Sequence, residues 1–365
     1  MELTKCKLGE LITQRREKND GSDLPICGVS KDGLIPPKQK DADTSIYNVF
    51  YRDDFIFNPA RMELNSIAIN DMYERAICSS LYEVFYVHRT DLLLPHYLKL
   101  IIRQKWFTRY CEFLGQGSAR EYCRFGNISE IEIEFPPIEE QQKIVDYNTA
   151  IENRIALKQK INDNLLNSVQ AIFRSWFVDY DPFDGVCPSN WETGCVEDIA
   201  EFFDSMRKPL SSLERADMER IYPYYGAVSI VDYVDDYIFD GEYLLVSEDG
   251  IYVVDENGHP LIQHISGKFW ANNHAHILKG KAGFNEDSLY LFLANTNMAP
   301  IVTGAAQPKI NQANLKSFPI TTPDSETMLK FNNIIQPFFD QRLTNESEIK
   351  KLEALQSLFL TRLVD

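Results

Sequence analysis

Long apolar runs are absent from this chain. Nowhere do about 18 uncharged hydrophobic residues follow one another, and the opening MELTKCKLGE is charged. That argues against a membrane-spanning helix and a secretory leader, and makes the cytoplasm the expected location. CxxC spacings are absent too. The seven cysteines (Cys6, Cys27, Cys78, Cys111, Cys123, Cys187 and Cys195) are odd in number and scattered. That pattern suits free thiols in a reducing compartment, not a disulfide framework or a zinc site.

Catalytic signatures are missing as well. No GxxxxGK[ST] phosphate loop occurs, and no GxGxxG follows a strand-like run. DYDPF (179–183) echoes the Asp-Pro-Pro-Tyr/Phe loop of amino-methyltransferases but lacks the second proline and any glycine-rich loop upstream, so it reads as a linker turn. EIK (348–350), with Asp340 upstream, mimics a nuclease Glu-x-Lys but lies on a helical run, where a solvated face is expected. His274 and His276 in KFWANNHAHIL would share one side of a strand, yet no cysteine or carboxylate pattern completes a metal site. They read as packed or hydrogen-bonded residues. The chain is expected to be non-catalytic and to hold no metal.

Positive charge is scarce: 37 Lys and Arg face 54 Asp and Glu, a formal net charge of −17. Taken whole, that balance argues against a nucleic-acid partner. Its distribution is less hostile. Residues 1–137 carry 18 basic and 20 acidic side chains, whereas residues 182–323 carry 9 and 20, a net of −11. A phosphate-binding face is therefore allowed on the first segment and has to be a local patch on the third.

What the chain does contain is enough hydrophobic residue (44 %) in 365 residues for two packed domains, and a plan used twice. GQGSAREYCRFGNISEIEIEFPP (115–137) matches TGAAQPKINQANLKSFPITTP (303–323) at a displacement of 187: Gly117 falls on Gly304, Ile128 on Leu315, Ile133 on Ile320 and Pro136 on Pro323. LTKCKLGELI (3–12) matches WETGCVEDIA (191–200) at 188. A repeat of about 185 residues is too long for a solenoid and suits a duplicated domain. Each copy opens with short alternating or apolar runs broken by Gly, Pro, Asn and Asp, such as YIFDGEYLLV, with ENG (256–258) as a hairpin turn. PHYLKLIIRQKWFTRYCEFL (95–114) reads as one helix, with the shorter SLYLFLANTN (288–297) as its counterpart.

Each copy closes with a long helix. In the first, Ile144, Ile151, Leu165 and Ile172 recur at multiples of seven, and Ile155, Val169 and Trp176 fill the intervening positions. In the second, Phe331, Phe338, Leu352 and Phe359 alternate with Ile335, Ile349 and Leu363. Pro136 and Pro137 lead into the first helix, and Glu139 and Glu140 favour its positive end. Pro337 is expected to kink the second. At 1.5 Å per residue each helix is expected to span roughly 55–60 Å. If the second packs on the first it has to run back along it, giving two globules at the ends of an antiparallel pair, related by an approximate twofold axis. Lys158, Asn162, Arg342 and Asn345 interrupt the seams and are expected to fix their register. The fold class is thus α+β. Two similar mixed α/β domains (1–137 and, with a linker, 179–323) are joined by coiled-coil-like helices at 138–178 and 324–365.

These residues carry a resemblance. FPPIEEQQKI (135–144) entering a long helix, AIFRSWFVDYDPF (171–183) closing it and PSNW (188–191) opening the second copy resemble the specificity (S) subunit of a type I restriction–modification system. So do YPYYGA (222–227), YIFDGEYLLVSEDG (237–250), KFWANNHAHIL (268–278) and VTGAAQPKINQANL (302–315), in that order. The resemblance covers essentially the whole chain and is looser in the first copy. It implies two target-recognition domains, each reading half of a bipartite site in double-stranded DNA, and a helical rod that sets the gap. It also implies docking of two modification (methyltransferase) subunits, which hold S-adenosylmethionine and methylate adenine. Restriction/translocase subunits would use ATP and Mg. No cofactor is implied on this chain.

Sequence reading requires amide, guanidinium or carboxylate groups at base edges with Lys and Arg on phosphates. The first-copy candidates are Lys31, Lys38, Lys40, Arg61, Arg120 and Arg124. Those of the second are Arg207, Lys208, Gln307 and Lys309, with Tyr224 and Tyr225 as groove-lining aromatics. The Asn272–Asn273–His274 run reads as structural. The rival readings are a structural adaptor without a DNA role and a self-contained DNA-modifying enzyme.

Overall fold

A computed structural model describes residues 3–31, 33–37, 43–115, 123–250, 253–304 and 306–362. Two compact units partition the chain. One comprises residues 1–157 and 348–365, the other 158–347. The boundaries fall inside the two long helices, so each unit owns one lobe and half of each helix.

In the first unit, β1 (Thr4–Lys7) precedes a turn of 3-10 helix and then β2 (Ile12–Arg15), β3 (Ile26–Ser30), β4 (Gly33–Ile35), β5 (Asn48–Tyr51), β6 (Phe55–Phe57), β7 (Ile67–Ile69), β8 (Arg75–Cys78) and β9 (Glu83–Val87). Helices α1 (Pro95–Ile102), α2 (Lys105–Gly115) and α3 (Phe125–Ser129) follow, then β10 (Glu132–Phe135) and α4 (Ile138–Phe177). The strands order as β2-β9-β6-β7 and β4-β3-β8-β5, antiparallel apart from β3 against β8. The single helix expected over 95–114 is two. The chain turns at Arg103 and Gln104, where Gln104 is buried and its amide oxygen accepts from the Trp106 indole.

The second unit opens with β11 (Glu192–Cys195), α5 (Val196–Ile199), β12 (Ala200–Phe202) and α6 (Ser212–Ala216). β13 (Tyr222–Tyr225), β14 (Ile230–Val234), β15 (Phe239–Ser247), β16 (Ile262–Ala271) and β17 (Ala275–Gly280) follow, then α7 (Glu286–Ala294), α8 (Gln312–Lys316), β18 (Pro319–Thr322) and α9 (Ser325–Arg362). The main sheet runs β12-β17-β15-β16-β13-β14, with β13 parallel to β16. ENG lies in the expected turn, with the Gly258 amide bonded to Asp255 O and Val254 bridged to Pro260.

The repeat is visible in the strand registers. β1 pairs antiparallel with β10, Thr4 opposite Phe135 and Lys7 opposite Glu132. β11 pairs in the same way with β18, Glu192 opposite Thr322 and Cys195 opposite Pro319. The alternation of ISEIEIEF is realised in β10, where Ile133 and Phe135 are buried and Glu132 and Glu134 exposed. In both lobes this pair feeds a long helix.

At the start of α4, Gln141 is wholly buried. Its side chain accepts from the Leu94 amide at 2.9 Å and donates to Leu92 O and Pro136 O at 2.7 and 2.8 Å. That locks the helix to its own lobe. α9 is capped by Asp324, which accepts from the amides of Glu326 and Thr327, and it runs on through Pro337.

Within each unit the helix halves lie antiparallel. In the first, Gln356 donates to Asn148 Oδ1 at 3.0 Å, Arg154 meets Glu348, and the Tyr147 and Phe359 rings sit 4.9 Å apart. In the second, Phe331 packs against Phe173, Trp176 and Phe177, and Lys158, Asn162 and Asn345 form one hydrogen-bonded set. Seam residues Ile144, Ile151, Ile155, Leu165, Val169, Ile172, Trp176, Phe331, Ile335, Phe338, Ile349, Leu352 and Phe359 are all buried or half-buried. Leu363 lies outside the described residues. Phe339 is more deeply buried than Phe338 and completes the second-unit core.

Arg342 departs from its expected role. Its guanidinium lies 5.7 Å from the Phe339 ring and close enough to bias His264 and Asp287, on the lobe side of the turn whose Asn345 faces α4. Among the described residues no helix is long and apolar enough to cross a membrane.

Candidate nucleic-acid interface

Three of the first-lobe candidates converge. Lys31, Arg61 and Arg124 line one cleft of about 1030 Å³. Its walls come from β3, from the 3-10 turn Pro59–Leu64 and from the Ser79–Tyr82 turn before β9. Asn58 caps that 3-10 turn by accepting from the Ala60 amide, which presents Arg61 at the rim. Arg124 keeps 59 % of its side chain exposed while Nη1 reaches Glu83 at 3.1 Å. It also borders a smaller hollow lined by Arg16 and Lys18, two cations the sequence reading missed. The neighbouring Arg15 is spent internally. It lies over the Tyr51 and Tyr86 rings and donates to the buried Asp54 at 2.6 and 3.1 Å. Lys38, Lys40 and Arg120 lie outside the described residues.

The second lobe is organised differently. Arg207 is not a free DNA contact. Its side chain is 14 % exposed, and it donates to Glu248 at 2.5 Å and to Ala275 O at 2.6 Å. Tyr224 is a core residue and not a groove-lining ring: it is 2 % exposed, and its hydroxyl accepts from the Leu210 amide at 2.9 Å. Glu248 and Ala275 for Arg207, and Leu210 for Tyr224, are partners that lie well away in sequence. Tyr225 is half-buried, edge-on to Phe269 at 5.7 Å, and burial pushes its phenol up. Lys208 is exposed, with its ammonium 5.9 Å over Trp270.

Gln307 and Lys309 stand on a tight loop. Gly304 turns it at φ +87°, and Lys309 and Thr303 exchange backbone bonds at 2.8 Å. Lys309 is 45 % exposed and reaches Glu248 at 2.9 Å. Beneath the loop, His276 is 1 % exposed. Its Nδ1 lies 2.6 Å from Asp204 and its Nε2 2.8 Å from Ile310 O. Both partners are acceptors, so the ring is a double donor.

Asp204, Glu248 and His276 have the spacing of a cation site, but the protein's own cations fill it. Arg207 and Lys309 lie on the two carboxylates, which leaves the donor set a poor fit for a metal. Burial pushes the Asp204 carboxyl up, but His276, the Ile277 amide and Arg207 outweigh it and hold Asp204 below the usual range. Burial opposes Lys309 and Arg207 in the same way at Glu248, which also ends low. The network thus anchors the loop that carries Gln307.

Two successive stretches, residues 7–167 and 188–354, match the family described as type I restriction modification DNA specificity domain. The chain belongs to this family. Its two matches coincide with the two lobes, each carried into its long helix. S.HindORF215P of Haemophilus influenzae is 38 % identical over 128 residues, covering 35 % of this chain and 32 % of that one. The MjaIX specificity subunit of Methanocaldococcus jannaschii is 23 % identical over 299 residues, 75 % of this chain and 69 % of that one. Among solved structures, the S subunit of a type I restriction–modification system from M. genitalium superposes with a TM-score of 0.61 at 14 % identity, covering 99 % of this chain and 96 % of that one. That likeness is one of fold.

Proposed function

We propose that this chain is the non-catalytic specificity subunit of a type I restriction–modification complex and that each lobe reads one half of a bipartite site in double-stranded DNA. The observation that carries the reading is the duplicated frame: β1–β10 and β11–β18 share a register, each pair leads into a long helix, and the family matches fall on the same two stretches. In this reading the Lys31–Arg61–Arg124 cleft and the Gln307–Lys309 loop are the recognition surfaces. The helices held in common by both units set the gap between half-sites and dock two modification subunits. Adenine methylation with S-adenosylmethionine, and ATP- and Mg-dependent translocation and cleavage, belong to partner subunits in the cytoplasm.

Mapping methylated adenines in host DNA with and without this chain tests the proposal. A split motif that vanishes on deletion is the expected result; no split motif sinks it. Methylation by the purified chain alone would transfer catalysis to this subunit and defeat the non-catalytic assignment.

A further inference from the structure

Beside the Lys309 loop lies an imidazole that the network leaves facing solvent. His274 is 49 % exposed, and its Nδ1 sits 2.8 and 3.0 Å from the two oxygens of Asp249, itself only 17 % exposed. A carboxylate can only accept, so Nδ1 carries the hydrogen and Nε2 of the neutral ring is left as an acceptor. The backbone fixes the neighbourhood. Glu248 N donates to His274 O at 2.9 Å, Ile310 N to Glu248 O at 2.9 Å and Gly250 N to Pro308 O at 3.2 Å. The segment 248–250 is therefore held between 273–274 on one side and 308–310 on the other. The segments that carry Asn273 and His274, and Gln307 and Lys309, thus flank 248–250, bringing amide, imidazole and ammonium groups suited to nucleic-acid edges into one neighbourhood. The buried carboxylates behind these groups are held by partners despite the acidity of the lobe. Glu248 is paired with Arg207 and Lys309 and Asp204 with His276, while Asp249 keeps its charge and is hydrogen-bonded to the neutral His274 ring.

Building on the proposed DNA reading, we infer that His274 is a specificity-determining residue of the second lobe: its Asp249-oriented Nε2 accepts from an exocyclic amino group, adenine N6 or cytosine N4, in the major groove. Asp249 acts as a positioning residue. If it is replaced by Asn, the amide can donate to Nδ1, which turns Nε2 into a donor and changes the base that fits.

The test is methylation mapping with the assembled complex carrying wild-type chain, His274→Ala or Asp249→Asn. With His274→Ala the expected result is a motif relaxed at one position of one half-site, by about ten- to a hundredfold in discrimination, with the other half-site intact. Asp249→Asn should alter preference at that same position. The intact half-site serves as the internal control for folding and assembly. An unchanged wild-type motif in both variants overturns this inference and leaves the DNA reading standing. So does uniform weakening at all sequences with a shallower salt dependence, which marks a phosphate contact. No split motif with the wild-type chain overturns both.

Discussion

Asn345 donates its side-chain amide to Asn162 Oδ1 at 2.7 Å, a polar bond buried in the seam between α9 and α4. Lys158 and Gln341 both donate to the Asn345 oxygen, at 2.9 and 3.0 Å, so the amide is satisfied on both sides. Such a set favours one register, because a shift along the seam breaks the Asn345–Asn162 bond. Replacing Asn345 by Ala takes the donor from Asn162 Oδ1 inside the seam and is expected to cost about 1–3 kcal/mol in denaturant unfolding. Leucine at both 162 and 345 should recover most of that loss. A single variant as stable as wild type would remove the register role.

Phe331 is wholly buried and ringed by Phe173, Trp176 and Phe177. Phe331→Ala opens a cavity where α9, α4 and the second lobe meet, and should lower stability by about 3–5 kcal/mol. The unfolding midpoint measures it directly.

A pH dependence follows from His264 and Asp287, which lie 3.5 Å apart in the second lobe. Burial, then Arg342, lowers His264 to about 4. Burial, then Glu242, Asp340 and Glu286, raises Asp287 to about 7. At neutral pH the contact therefore joins an uncharged imidazole to a partly protonated carboxyl, and is not a full ion pair. Stability linked to Asp287 is full below about pH 4 and is lost as pH rises through 7, while that linked to His264 is present above about 6.5 and lost as pH falls towards 4. The two oppose each other between these limits, and only the Asp287 loss remains above about 6.5. Asp287→Asn should abolish the decline seen in wild type on passing from about pH 6.5 to 8, and unmask a rise from about 4 to 6.5. Unfolding midpoints across that range decide it.

The Gln307 loop depends on one backbone conformation. Gly304 has φ +87°, and a Cβ there would come within 2.4 Å of Gln307 O. Gly304→Ala is expected to displace the loop with little change in melting temperature. Methylation mapping should then show one half-site degraded and the other preserved.

In the first lobe, Arg61 and Arg124 line the same cleft. If both serve phosphates, each Ala substitution should weaken DNA binding by the assembled complex at all sequences and reduce the log–log salt slope by about one. The isolated chain, with its net charge of −17, should bind weakly and lose binding steeply with salt. Tight, salt-resistant binding by the chain alone would contradict this.

Much of the fold was legible in advance, for reasons that differ by element. Strand β10 and helix α4 were readable because the alternation IEIEF and the heptad spacing of Ile144, Ile151, Leu165 and Ile172 are local periodicities. The break between α1 and α2 was not, since LIIRQKWF is a good helical run and the turn at Gln104 is imposed by packing. In the candidate site, Arg61 and Arg124 read as surface cations and are exposed. Arg207 looked the same on paper, and His274, read as structural, is indeed hydrogen-bonded to Asn272 and Asp249 while its ring stays half-exposed.

By itself, then, the order of residues determined the duplication, the two long amphipathic helices and the family, because these are carried by spacings along the covalent chain. Which cations are free and which are spent was decided only by tertiary structure. Arg207 is neutralised by Glu248, 41 residues away, and His274 is aimed by Asp249, 25 residues away. The strands that make those residues neighbours are chosen by the collective burial of a core, which no short window of sequence contains.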